Sequence, residues 1–386
     1  MQKIIETERI PINLWLDDLE SGALEQAKNL ANFPFAFHHI ALMPDAHQGF
    51  GMPIGGVMAS LGAVVPNAVG VDIGCGMCAL STGLKDMKPG ALKDIMTQIR
   101  NSVPLGFKKQ TIKQDEALMP HMSENCPVVK KEWKNALLSL GTLGGGNHFI
   151  EIQKGSDGDI WVMIHSGSRN LGLQVANYYN RQARSLNENM RKALPKDWQL
   201  DYLPLDLPLA QEYLTEMNFC TAYALANRQL MMERVLEAFE QRMGAIKKGP
   251  LINIAHNYVA EELHFGERVW VHRKGATSSK KGEWGIIPGS QGSESFIVRG
   301  KGNPLSFESC SHGAGRKMGR KEAVRNLDLK KEQAELDAQN ILHSLWSVKD
   351  LDEAPSAYKN IRKVMSYQQD LLDIEVSLKP LAVIKG

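Results

Sequence analysis

Glycine placement constrains this chain more than any other feature, because the glycines bunch rather than spread. They gather at 49–62, 70–76, 141–146, 165–172, 285–302 and 312–319. Runs of this kind interrupt helices and permit tight or left-handed backbone. Between them lie patterns of helical period. Val175, Tyr178, Tyr179 and Ala183 give an apolar face over 172–193, and Met217, Ala224, Leu225, Met231, Met232, Leu236 and Phe239 do so over 210–243. Residues 321–350, through Leu327, Leu329, Leu336, Ile341 and Leu345, and residues 356–374 are expected to be helical as well. Short β-type runs precede several glycine clusters: Trp161–Ile164 before His165, Leu251–Ala255 before His256, and Val69–Val71 before Asp72. Polar residues would then leave strand ends and enter loops, where a rigid scaffold commonly presents its chemistry.

No repeat, low-complexity stretch or Pro- or Ser-rich linker divides the chain, and chemistry-bearing segments run from residue 45 to residue 385. A single domain over 1–386 is expected. Charge is nearly balanced, 45 basic against 43 acidic residues, so any grip on nucleic acid must come from a local patch. No apolar run reaches bilayer length, and Met1–Glu6 lacks the apolar core of a signal peptide. The cysteines (Cys75, Cys78, Cys126, Cys220, Cys310) are odd in number and scattered. Reduced thiols in a cytoplasmic protein are the reading that fits.

Four segments set a good metal ligand in tight backbone: Asp72 and Cys75 in Val71–Gly76, His148 after Gly144–Asn147, His165 after Ile164, and His256 after Ala255. Three imidazoles, a thiolate and a carboxylate suit manganese or zinc better than calcium or magnesium, which prefer all-oxygen cages. Five ligands exceed one tetrahedral site and a thiolate can bridge, which points to two ions. Each residue alone also fits ordinary packing. Cys78 has no second Cys-x-x-Cys to pair with and is read as packing; His38, His39, His264, His272 and His343 are read as structural.

Phosphate binding would have to proceed without a P-loop, since Gly-x-x-x-x-Gly-Lys-Ser/Thr is absent. The lysine-ligase pattern Lys-x-Asp-Gly is absent too, and Lys154–Gly158 reads as a turn. What remains is Ile287–Ser295, with Pro288, Gly289, Ser290 and Gln291, and then Cys310–Arg316. Gly- and Ser-rich backbone can offer N–H groups to phosphate oxygens, and Arg169 and Arg316 could clamp them. His312 is a candidate nucleophile if a carboxylate or carbonyl holds its other ring nitrogen. The same runs fit two surface turns with a solvated histidine.

Taken in order, from Met43–Gly49 to Val383–Gly386, these segments resemble the RtcB RNA-splicing ligases over essentially the whole chain. The resemblance implies an α+β fold with sheets around a central metal and nucleotide cleft and flanking helices. It also implies an enzyme that joins RNA 3′-phosphate or 2′,3′-cyclic phosphate ends to 5′-hydroxyl ends with GTP and manganese, in tRNA splicing or RNA repair. By motif, Asp72, Cys75, His148, His165 and His256 look like the metal ligands, with Cys75 shared between two ions. His312 resembles the guanylylated histidine, Asp45 the acid that orients it, and Arg316 a phosphate-side arginine. Asn147, Phe149, Glu151, Asn257, Pro288, Gly289, Ser290, Gln291, Ser295, Gly313, Ala314 and Gly315 match the nucleotide-binding stretches. Tyr358 and Lys385 resemble residues that meet the guanine base. Arg169, Arg316 and Arg320 would hold RNA phosphates.

Gln291 stands where the family often has Met, Gly319 where it has Ser, and Glu294 puts an acid in the phosphate-side loop. These departures, with a compact 107–140 region, bear on RNA preference. A metal-dependent phosphodiesterase without covalent nucleotide, and a non-catalytic RNA-binding descendant, are the alternatives.

Overall fold

Alternating and continuous apolar runs assemble into two large sheets in this computed structural model, which describes residues 1–190 and 194–386. One sheet has six strands in the order 3–5, 12–14, 36–50, 52–60, 267–274, 257–264. Its pairs are antiparallel except 12–14 with 36–50, which run parallel. The other has seven antiparallel strands in the order 252–255, 76–81, 160–166, 149–155, 372–385, 295–300, 284–287. The chain passes from one sheet to the other at His256, between strands 252–255 and 257–264. Two-stranded ribbons, 63–64 with 203–204 and 276–278 with 309–311, complete the β structure among the described residues. The expected α+β architecture, with sheets around a central cleft, is what is found.

The helices among the described residues are α1 (Ser21–Ala31), α2 (Pro89–Ser102), α3 (Pro127–Ser139), α4 (Leu171–Asn189), α5 (Pro208–Met243), α6 (Arg320–Asn326), α7 (Leu329–Asp337) and α8 (Ile361–Ser366). The first two expected helices are α4 and α5; the end of the expected span, 191–193, lies outside the described residues. None of the helices among the described residues is long and apolar enough to cross a membrane.

Three expectations are corrected. The span 321–350 is not one helix. Leu327 is extended, Asp328 caps a new start by accepting from the Lys331 N–H at 2.9 Å, and Asn340 turns left-handed with φ of 57°. The span 356–374 holds only α8, and its end begins the long strand 372–385. There Leu372, Ile374, Val376 and Leu378 recur every second residue, the period of a strand. Val69–Val71 is a turn after the 3₁₀ segment Pro66–Ala68, with Gly70 at φ of 92°.

Helix α5 runs through the middle of the molecule, and its interior is not purely apolar. Asn227 and Arg228 are both fully buried. The Arg228 guanidinium donates to Gly74 O (3.0 Å), Ser166 O (2.8 Å), Ile254 O (3.2 Å) and Asn253 Oδ1 (2.8 Å). Asn227 Oδ1 accepts from the Gly141 and Thr142 N–H groups, and its Nδ2 donates to Thr142 O, Ser166 Oγ and Gly167 O. One turn of helix thus ties down the loops that carry Cys75, His165 and His256. Close pairing there also requires glycine: a Cβ on Gly76 would strike the carbonyl of Ile254.

Replacing Arg228 by Met would keep the helix and much of the volume while leaving several buried carbonyls without donors. The expected loss is about 3 kcal/mol or more, from unsatisfied acceptors of this kind. A lower urea midpoint at unchanged slope would register it.

Candidate active site and metal centre

One end of the seven-stranded sheet collects the sulfur and imidazole ligands. Cys75 immediately precedes strand 76–81, His165 lies near the end of strand 160–166, and His148 enters strand 149–155. Register places His165 opposite both Met77 and Phe149. Cys75 Sγ lies 3.5 Å from His148 Nε2 and 3.3 Å from His165 Nε2. Ligand atoms of these three residues all fall within 4.8 Å of one another. Asp72 Oδ2 is 3.5 Å from His148 Nε2, and the His256 ring centroid is 5.2 Å from that of His165.

Each ring is oriented from behind. His148 Nδ1 meets Leu143 O at 2.9 Å and His165 Nδ1 meets Asn147 O at 3.1 Å. A carbonyl can only accept, so both Nδ1 atoms carry the hydrogen and both Nε2 atoms turn a lone pair toward the sulfur, as second-sphere carbonyls do at metal sites. His256 Nδ1 is buried with no partner among the described residues. An orphaned imidazole nitrogen beside a thiol and two lone-pair nitrogens fits a bound cation.

The electrostatics agree. Burial, with the neighbouring imidazoles, pushes His165 and His256 well below the usual histidine range, which favours the neutral form that a metal ligand requires. Burial and the Asp72 charge push the Cys75 thiol well up, a trend that a cation in the cluster would reverse. At Asp72 burial opposes ionisation, but the nearness of His148 Nε2 at 3.5 Å, helped by Cys75 and His165, draws the carboxyl down to about 2.

Next to this cluster stands His312, its ring centroid 4.7 Å from that of His256. His312 Nδ1 is 2.6 Å from Oδ2 of the fully buried Asp45, which also accepts the His312 backbone N–H at 3.1 Å. With Nδ1 held, Nε2 is the nitrogen left to react. Gly315, at φ of 71°, lies so close to Asp45 that a Cβ would collide with its backbone. Lys359 grips the same strand from outside, donating to Ala46 O at 2.8 Å and Pro44 O at 3.4 Å.

A cavity of about 1860 Å³ joins these parts. Its lining includes all five metal-ligand candidates, His312 and Arg316. It also includes Asn147, Phe149, Glu151, Asn257, Pro288–Gln291, Gly313–Gly315, Tyr358 and Lys385. Ser295 is not in the lining: it is fully buried, and its hydroxyl accepts the Gly289 N–H at 3.1 Å. The Ser290 N–H likewise goes to Ser293 Oγ at 2.7 Å. The 288–295 loop therefore braces itself, and these two N–H groups are not offered to phosphate as the sequence suggested. Asn257 is also engaged, donating to Asp72 O and accepting from the Gly275 N–H. Glu294 pairs with Arg362 at 3.1 Å.

Sequence reasoning missed the residue that organises the far wall. Glu353 is buried and gathers Arg316 (3.0 Å), Arg320 (3.5 Å), Lys385 (3.2 Å) and the Tyr358 hydroxyl. Arg316 is thereby turned toward Glu353. Lys385 reaches Glu353 because strand 372–385 pairs it with Phe149, and its ammonium lies 5.4 Å from that ring's centroid. Gln291 Nε2 donates to the Glu353 backbone carbonyl at 2.9 Å. An isolated acid after Asp352 carried no motif that could have flagged it.

An Asp-held histidine beside a thiol–imidazole cluster, both opening on one large cavity, fits a metal-dependent catalytic cleft. The family model described as tRNA-splicing ligase RtcB matches residues 26–137 and 119–386. RNA-splicing ligase RtcB1 of Escherichia coli strain ATCC 25922 is 38% identical over 413 residues, covering 100% of this chain and 99% of the relative. RNA-splicing ligase RtcB of Escherichia coli strain K12 is 38% identical over 414 residues, with the same coverage. The tRNA-splicing ligase RtcB of Pyrobaculum aerophilum is 30% identical over 467 residues, covering 98% and 95%. The chain belongs to the RtcB family.

Glu151 gives a pH dependence. Burial pushes its carboxyl from an ordinary 4.5 up to about 8, with Lys385 pulling the other way. The folded chain therefore favours the protonated acid. That contribution is complete below the unfolded value and is lost as pH rises through the folded one. Glu151→Gln should gain on wild type by up to roughly 1.4 kcal/mol per pH unit across that window. Urea midpoints of both proteins at about pH 5 and about pH 8.5 check it; a constant difference would contradict the buried, protonated acid.

Proposed function

We propose that this chain is an RNA ligase acting through a guanylylated His312. It would use GTP and manganese to join RNA 3′-phosphate or 2′,3′-cyclic phosphate ends to 5′-hydroxyl ends, with residues 1–386 working as one cytoplasmic ligase domain. The observation that carries this reading is the Asp45–His312 contact at 2.6 Å, which leaves Nε2 free beside the thiol–imidazole cluster. Membership of a family whose relatives bear RNA-splicing and tRNA-splicing ligase names supports the RNA substrate.

Asp72, Cys75, His148, His165 and His256 would hold the two manganese ions. When bound, such ions neutralise phosphate charge and orient phosphate oxygens. The neutral His312 ring attacks the α-phosphorus of GTP through Nε2, with pyrophosphate leaving. Asp45 holds the Nδ1 hydrogen and stabilises the charge that develops on the ring. The guanylyl group then passes from His312 to an RNA 3′-phosphate, and a 5′-hydroxyl displaces GMP. Phe149, Tyr358 and Lys385 form the base side of the pocket, and Glu151, protonated, can donate to a nucleobase acceptor. Glu353 keeps Arg316, Arg320 and Lys385 gathered along that wall.

Incubation with α-labelled GTP and manganese should label the wild type and leave His312→Ala unlabelled. Asp45→Asn should cut the labelling rate roughly 10²- to 10⁴-fold, the range for losing an oriented acid–base partner. Labelling that survives His312→Ala would exclude this nucleophile. Hydrolysis of cyclic phosphate ends without any labelling would favour a phosphodiesterase.

A further inference from the structure

The chemistry above occupies the middle of the cavity and leaves one flank without a task. That flank is lined by Phe107, Lys108 and Lys109 from the turn after α2, by Asn135 of α3, and by Asn177 and Arg184 of α4. The turn is firmly built. The Gly106 N–H donates to Gly144 O at 2.9 Å, Gln110 N donates to Leu138 O at 2.8 Å, and its side chain donates to Gly141 O at 3.1 Å. Arg169 reaches the Gly106 carbonyl at 3.3 Å, which ties the turn to the loop that follows His165.

On this braced turn the Phe107 ring is fully exposed. Leaving a phenyl group in water forgoes the gain of burying it, and the anchored backbone on either side shows that the exposure is not fraying. Lys109 rests on the uncharged Asn135 Oδ1 at 3.3 Å. Glu132 is the acid in the same lining, and Arg184 is shared with Asp201 at 3.3 Å. An open aromatic flanked by lysines and carboxamides, continuous with the cavity of His312, matches a single nucleic-acid strand rather than an apolar protein partner.

Resting on the ligase reading, we propose that the Phe107–Lys109 turn is a docking arm for single-stranded RNA. The Phe107 ring stacks on an unpaired base near the break, and Lys108 and Lys109 meet the adjoining phosphates. A base already stacked and paired in a duplex cannot open onto the ring, so the arm selects broken ends that lie in loops or overhangs. In a chain of almost balanced charge, such an arm concentrates affinity where the ends react.

Fluorescence anisotropy with a labelled single-stranded RNA bearing a 3′-phosphate, with manganese and without GTP, tests this. Phe107→Ala should weaken binding about tenfold, in the range of one base–aromatic stack, and Phe107→Trp should restore it. Binding to a blunt hairpin should be weaker in wild type and unchanged by Phe107→Ala. The Lys108→Ala, Lys109→Ala double variant should flatten the salt dependence by about one to two phosphate contacts. Labelling by GTP should be the same in all these variants. Equal RNA binding by wild type and Phe107→Ala, an equal loss on the hairpin, or lost GTP labelling in Phe107→Ala would each overturn the arm. Wild type that labels with GTP but binds neither RNA would overturn the arm and leave the nucleotidyl chemistry standing. Wild type that binds RNA through Phe107 but never labels would do the reverse.

Discussion

A single buried guanidinium, that of Arg228, holds the reactive end of this molecule together. It sits mid-helix in α5, where an apolar residue would be the default, and satisfies carbonyls of Gly74, Ser166 and Ile254 at once. Each carbonyl belongs to a residue next to, or two before, a proposed metal ligand. Burial draws the guanidinium pKa down, while Cys78, Cys75 and Asp72 nearby favour the charge. A planar fork with several fixed donors can serve diverging carbonyls in a way that a lysine ammonium cannot. The same cation lies near Cys75 and Asp72, so one side chain both shapes the loops and favours negative charge beside them.

A second constraint comes from the end of the chain. Strand 372–385 lies inside the seven-stranded sheet, between strands 149–155 and 295–300. The two sides of this part of the cavity therefore join only when the last residues pair, and Lys385 meets Phe149 and Glu353 by that pairing. Contacts between such distant parts of the chain carry a large loop-closure cost and form late in folding as a rule.

Much of this was legible in the sequence, and what was not had physical causes. His165 and His256 at strand ends followed from apolar runs stopping at polar residues, and α4 and α5 from their period. The split of 321–350 was hidden because Leu327 and Leu329 continue an apolar pattern across a cap at Asp328. Strand 372–385 was hidden because its two-residue alternation is brief and follows a true helical turn. Arg228 and Glu353 were invisible as centres, since a charge in an amphipathic segment reads as solvated until its partners are known. The Asp45–His312 pair spans 267 residues. Local reading allowed a carboxylate behind His312 but could not say which one, and only the family resemblance pointed to Asp45.

Three buried carboxyl groups in and behind the cavity wall then differ by the company they keep. Asp45 faces one imidazole and one N–H, and so serves a single ring. Glu353 would be raised by burial, but Lys385, the Tyr358 hydroxyl, Arg316 and Arg320 outweigh it and lower it, so it is an anchor for cations. Glu151 has only the distant help of Lys385, and burial wins, leaving it protonated at neutral pH. The same functional group thus meets three different settings: Asp45 on one ring, Glu353 among cations, and Glu151 almost alone. What separates the roles is how many positive or donating groups the fold brings to each, and for Glu353 and Glu151 that number depends on the ammonium of Lys385.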